Sequence, residues 1–248
     1  MLPVLNHPWD VGIAEAREIQ YRMREKLIQA PLLQSINTIA AVDVSYTRWD
    51  KVGYAVLGLF SLIKDNGDEK LSVKEELIKT RIESVKFPYV PGYLSFREIP
   101  ILLPLFKEIS ENIDVIIADG QGIAHPRGIG LAAHLGLLFD IASIGCAKSK
   151  LIGNYTEPGI RKGDYSDLFL DQRIIGRVLR SRDRCKPLFV SPGHKCLVPD
   201  AMDFILNLCS KYRICDPIRR VDEISKQLRK SQQLKRSKES YETFISQS

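Results

Sequence analysis

The feature that most constrains the fold of this chain is the succession of apolar run, helix and apolar run across residues 114–147. DVIIAD, residues 114–119, is β-branched and too short for a helix of its own, so it reads as a buried strand ending in a carboxylate. Residues 127–139 carry helical spacing, and IASIGCA, residues 141–147, is a second buried strand. Strand, helix, strand in that order makes the two strands parallel neighbours joined by a right-handed crossover. Upstream, TIAAVDVSY (38–46) and VGYAVLGLFSL (52–62) pair as an antiparallel hairpin across the polar link TRWDK. A third strand falls within residues 71–85, after the turn-forming DNGDE. The expected fold class is therefore α/β, a mixed sheet of three antiparallel strands followed by parallel strands, flanked by helices.

The remaining elements are read more coarsely. Helical spacing covers residues 11–36, and a helix over 94–109 is expected to be kinked or divided by Pro100 and Pro104. Two prolines and a glycine exclude regular structure from FPYVPGY, 87–93. Residues 152–172 read as a long surface loop, 174–181 and 187–193 as a hairpin, and 198–211 and 217–230 as helices. A single domain is expected over residues 1–235, with a flexible tail over 236–248.

Charge and composition narrow the partners. Lysine plus arginine number 36 against 30 aspartates and glutamates, a net charge of +6 that suits a phosphate-bearing partner. Five cysteines without a CxxC pair, and four histidines without HExxH, argue against a zinc site or a disulfide framework and suit a reducing cytoplasm. The start of the chain lacks an export signal, and the apolar stretch 129–147 is broken by His134 and Asp140. A cytoplasmic protein with no membrane partner is expected, and no protein partner is deducible.

Several residues carry possible chemistry. Asp43 lies inside an apolar strand, where a carboxylate needs a cation, a metal or hydrogen-bond donors. Asp119 closes a parallel strand at its C-terminal edge, where open α/β sheets place ligands; a capping role before Gly120 is the alternative. Glu98 follows Ser95 by three residues, which is a capping-box spacing, yet it could also join the two aspartates. Three carboxylates from separate elements would hold Mg²⁺ through hard oxygen ligands. PYVP, 88–91, is stiff enough to present Tyr89 as a wedge beside an unstacked base, or is an ordinary turn. The glycines of GQGIAHPRGIG, 120–130, expose amides that suit a base edge or a phosphate. Lys148 and His194 are placed either to meet a phosphate or to serve a surface and a turn.

Taken together, VDVSY, PYVPGYLSFRE, DGQGIAHPRGIGLAAHLG, IGCAKSKL and PLFVSPGHK resemble the endonuclease V family, nucleases that cut strands containing deaminated adenine. The resemblance runs in one order from about residue 10 to 230. It implies a ribonuclease H-like fold and Mg²⁺ as cofactor, with Mn²⁺ able to substitute. It places the catalytic, metal-binding carboxylates on Asp43, Glu98 and Asp119, and the wedge on Tyr89 within Pro88 to Pro91. The base pocket falls on the backbone around Gly92, Leu94, Gly120 and Gly122, while His125 and Lys148 would meet the strand near the cut. Three positions depart from the family pattern. Ser95 stands where alanine is usual, Lys195 stands where arginine is usual, and CDPIRRVD follows the late P-x-R-x-x-D pattern loosely, leaving the metal role of Asp222 open.

The function this implies is hydrolysis of the second phosphodiester 3′ to deoxyinosine in DNA, in DNA repair. An inosine-specific endoribonuclease is the alternative within the same class. A non-cutting protein that binds altered bases is the alternative from another class, and three retained carboxylates argue against it, because binding phosphate alone favours fewer negative charges.

Overall fold

The computed structural model describes residues 1–46, 51–64 and 71–246. Residues 47–50 of the link TRWDK and all of DNGDE lie outside the described residues. In chain order the elements are α1 (Ile13–Arg24), β1 (Thr38–Ser45), β2 (Val52–Lys64), β3 (Leu71–Ser84), α2 (Leu94–Lys107), β4 (Val115–Ala118) and α3 (Leu131–Phe139). They continue as β5 (Ala142–Ala147), β6 (Tyr165–Leu170), β7 (Arg173–Leu179), β8 (Leu188–Pro192), α4 (Val198–Asn207) and α5 (Asp216–Ser246). The strands form one sheet in the order β3-β2-β1-β4-β5-β8-β7-β6. β3, β2 and β1 are antiparallel, and β1, β4 and β5 are parallel, as the sequence reading expects. β8, β7 and β6 then extend the sheet antiparallel.

Strand alternation divides the interior into two layers. Ala40, Val42, Ile116 and Ala118 face one side, where they pack with Ile19 of α1, Phe96 and Ile99 of α2 and Leu135 of α3. Ile39, Ala41, Val115, Ile117 and Ile144 face the other, against Met202 and Ile205 of α4 and Ile218 and Val221 of α5. β4 and β5 are buried on both faces, which is why their sequences read as unbroken apolar runs.

The structure corrects four expectations. The helix expected over 11–36 ends at Arg24. Beyond it Ile28 N–H donates to His194 Nδ1, and Pro31 cannot continue a helix. The division expected at Pro100 and Pro104 does not occur: α2 is one helix with both prolines inside it, because nine of its side chains are buried and packing outweighs the lost backbone bonds. The surface loop expected over 152–172 contains β6, an edge strand whose alternation is masked by Asp167. The helix expected over 217–230 runs on to Ser246. Among the described residues, no helix is long and apolar enough to cross a membrane.

Ile117 is fully buried in the layer beneath α4 and α5. Ile117→Ala is expected to cost about 2–5 kcal/mol of unfolding free energy. Urea denaturation checks this, and a loss below 1 kcal/mol would contradict the two-layer core.

Candidate active site

Two strand-end carboxylates begin the site. Val42 pairs with Ala118 in the parallel β1–β4 ladder, and Asp119 N–H donates to Val42 O at 3.3 Å, so Asp43 and Asp119 come next in register. Their parity matches Ile39, Ala41 and Ile117, which puts both on the α5 face of the sheet. There α5 supplies Asp222, and one carboxylate oxygen from each of Asp43, Asp119 and Asp222 lies within 4.8 Å of the others.

The surrounding donors come mostly from α5. Ser225, fully buried, donates its hydroxyl to Asp43 Oδ2. Lys148 donates to Asp119 and, at 2.6 Å, to Asp222 Oδ1, while Lys226 Nζ reaches Asp222 Oδ2 at 2.6 Å. Burial, reinforced by Asp119, pushes the Asp43 carboxyl up to about 6. Burial also raises Asp119, against the pull of Lys148. At Asp222 burial acts upward but the hydrogen bonds from Lys148 and Lys226 outweigh it, leaving that carboxyl below its ordinary value. For Lys148 burial opposes the charge, and Asp119 and Asp222 more than offset it, so the ammonium stays protonated.

Glu98 approaches from the opposite face, because α2 packs on the other layer. It is 4% exposed and lies outside the group of three. Burial, with repulsion from Asp43 and Asp119, raises its carboxyl well above the ordinary range, and a hydrogen bond with the Tyr46 side chain acts the other way.

A cavity of about 330 Å³ opens beside the carboxylates, within the size range of small-ligand pockets. Tyr89, Pro91, Gly92, Leu94, Gly120 and Lys148 are among its lining residues, so this part of the expected pocket comes together around Asp119. Pro88 is exposed, and Tyr89 is 51% exposed with its ring 6.0 Å from that of Tyr46. Gly122 is placed elsewhere. Its N–H donates to Ser191 Oγ at 2.8 Å, and an added Cβ would lie 2.0 Å from Pro192 O, so it is a close-approach position against β8.

His125 borders the cavity but spends its ring on the loops. Its Nε2 donates to Gly92 O at 2.8 Å, and its Nδ1 accepts from Arg127 N–H at 3.2 Å. Burial, helped by Arg127, brings it down to about 4, which keeps the ring neutral. Gly92 O also accepts from Gln20 Nε2 at 3.1 Å and from Arg127 Nη2, fixing the loop where Gly92 adopts a φ of +81°. His194 joins Ile28 N–H and Asp140 rather than the carboxylates.

The sequence reading missed Ser225, Lys226, Gln20 and Tyr46. Ser225 was findable, since it follows Asp222 by three residues and so shares its helical face. The other three needed tertiary packing to gain meaning.

Three hard oxygen donors, two of them raised by burial, fit a divalent cation. In its absence the cluster costs stability, because the folded state holds the Asp43 proton more tightly than the unfolded chain does. Asp43→Asn is therefore expected to stabilise the cation-free protein at pH 7.5 by ~1–3 kcal/mol. The gain should shrink as pH falls through about 6, where Asp43 takes up its proton. Urea unfolding with chelator at several pH values checks this, and a variant less stable than wild type at pH 7.5 would contradict it.

The chain is similar to known proteins over most of its length. The family profile described as Endonuclease V matches residues 21–223. The Endonuclease V of Kosmotoga olearia is 40% identical over 230 residues, covering 92% of this chain and 97% of that protein. A crystal structure of Endonuclease V from Bacillus subtilis superposes with a TM-score of 0.84 at 27% identity, covering 95% of this chain and all of that one. The Ciona intestinalis Endonuclease V, in complex with a 23mer DNA containing an inosine followed by a ribo-adenosine, superposes with a TM-score of 0.74 at 28% identity. That match covers 88% of this chain and 97% of the Ciona chain.

Proposed function

The chain belongs to the endonuclease V family of nucleases, and on that premise we propose that it hydrolyses DNA at the second phosphodiester 3′ to a deoxyinosine, as a repair nuclease. The observation that carries this reading is the group of Asp43, Asp119 and Asp222, of which Asp119 also lines a cavity sized for one small molecule. The DNA complex of the Ciona relative supports a strand that carries inosine.

In this reading the cavity takes a base turned out of the stack, and Tyr89, stiffened by Pro88 and Pro91, fills the gap it leaves. Leu94 stands at the N-terminus of α2, and the Gly92 and Gly120 backbones line the same cavity. Amide donors there suit a polar base edge. Asp43, Asp119 and Asp222 would hold Mg²⁺, or Mn²⁺ in its place, and Glu98 would complete the set from the α2 side. Such a cation lowers the pKa of an attacking water and stabilises the charge that develops on the phosphodiester. The water gives up a proton as its oxygen bonds to phosphorus, the bond from phosphorus to O3′ breaks, and O3′ takes up a proton. The products are a 3′-hydroxyl and a 5′-phosphate. Lys148, held at the carboxylates by Asp119 and Asp222, presents its ammonium to a non-bridging phosphate oxygen. His125 acts one step back, holding the Gly92 loop that forms the pocket wall.

The ribo-adenosine after inosine in the Ciona complex favours a strand with ribose at that position as a second substrate. Matched oligonucleotides with inosine or adenine at one position, in DNA and in RNA, with Mg²⁺ or chelator, test the reading. Cutting is expected only with inosine and Mg²⁺, and equal cutting of the adenine strand would overturn it. Tyr89→Ala is expected to weaken binding of an inosine duplex by roughly 10- to 100-fold. Fluorescence anisotropy at one fixed salt concentration checks the wedge, and unchanged affinity would remove it from the account.

A further inference from the structure

Two buried polar atoms belong to residues that line the cavity and have no partner among the described residues. Ser95 is 2% exposed and Gln121 is 7% exposed, and both border the cavity. Among the described residues, Ser95 Oγ and Gln121 Oε1 have no hydrogen-bond partner. Buried polar atoms are nearly always paired, so two orphans around one cavity call for a ligand's polar edge.

The chemistry of each orphan is defined. Gln121 Nε2 donates to Ser149 O at 3.0 Å, which fixes the amide and leaves Oε1 as an acceptor. The Gln121 backbone is held as well, since its carbonyl accepts from Ala132 N–H at 3.0 Å. Ser95 Oγ is a rotatable donor in the first turn of α2. Among the described residues, no backbone acceptor receives the N–H of Leu94 or Ser95. The lining of this one cavity therefore includes several donors and one fixed acceptor.

A deaminated purine has the complementary edge, a C6 carbonyl that accepts beside an N1–H that donates. Adenine has an amino group at C6 and a bare N1, so donor and acceptor are exchanged. We propose that Ser95 and Gln121 are specificity-determining residues that read this lactam edge, with Gln121 Oε1 accepting from N1–H and the Ser95 hydroxyl donating to the C6 oxygen. The assignment rests on the deaminated-base reading above. The Ser95 hydroxyl makes a contact that an alanine methyl group at this position cannot make. Against adenine, the acceptor-only Oε1 would face the bare N1, and a buried unpaired contact of that kind is how a polar site rejects the wrong ligand.

The test is binding without divalent cation, so that cleavage plays no part. Anisotropy at one salt concentration compares strands carrying inosine, adenine or nebularine, a purine that lacks both the C6 oxygen and the N1–H. Wild type is expected to prefer inosine. Ser95→Ala and Gln121→Met should each weaken inosine binding by roughly 2- to 10-fold and leave nebularine binding unchanged. Ser95→Ala should not lower Tm, because it removes an unpaired buried hydroxyl, so it carries the test even if Gln121→Met fails to fold. Preference for inosine over nebularine that survives intact in Ser95→Ala and in any folded Gln121→Met would overturn the assignment and leave the base reading standing. Equal wild-type affinity for all three strands would overturn both.

Discussion

The parallel pairing of β1 with β4 brings Asp43 and Asp119 to the same face at the same height of the sheet, and the rest of the site answers the electrostatic cost of that pairing. Two carboxylates in a low-dielectric interior repel each other and lose hydration together. α5 brings Ser225 to Asp43 and Asp222 to the cluster, and Lys148, just past the end of β5, reaches between Asp119 and Asp222. Lys226 then balances Asp222 from the next turn of α5. Repulsion from Asp222 adds to the rise of Asp43 and Asp119, while Lys148 and Lys226 hold Asp222 itself below its ordinary value; the expense carried by the raised pair makes sense as affinity for a cation.

The pocket depends on a different device, a single carbonyl. Gly92 O takes hydrogen bonds from α1 through Gln20 and from the glycine-rich loop through His125 and Arg127. Arg127 also donates to Gln20 Oε1 and lies 4.1 Å over the Tyr93 ring, so the network closes on itself. A loop carrying Pro88, Tyr89 and Pro91 has little regular structure of its own, and this latch ties it to the framework beside the carboxylates. Cavity and carboxylate cluster are thereby tied to one framework, and in the proposed function such a tie sets the distance between the recognised base and the cut.

The central sheet was legible in the sequence because its signals are local. Runs such as VIIA and SIGCA are apolar on both faces, and only a strand covered on both sides has a use for that. β6 was not legible, since YSDLFL at the sheet edge carries an aspartate paired with Arg177 and little hydrophobic contrast. In the site, Asp43 and Asp119 could be read because a carboxylate within or closing an apolar strand needs a reason. Asp222 was left open and Glu98 was grouped with the two aspartates. What separates them is which face each helix packs on, and that depends on layer assignment, which no single segment encodes. His125 lines the cavity while its ring bonds the loops, and Gly122 packs against β8; in sequence, histidines and glycines look alike whether they serve a ligand or a neighbouring loop.

The account stands on Asp43, Asp119 and Asp222 acting together as the seat of a divalent cation. Calorimetric titration of Mn²⁺ into the nucleic-acid-free protein at pH 7.5, with wild type beside Asp222→Asn, measures this without reference to cleavage. The account requires a saturable site in wild type that Asp222→Asn weakens by about tenfold or more, the equivalent of one lost ionic ligand at ~1.4 kcal/mol. Undiminished Mn²⁺ affinity in Asp222→Asn, with the variant folded, would contradict it.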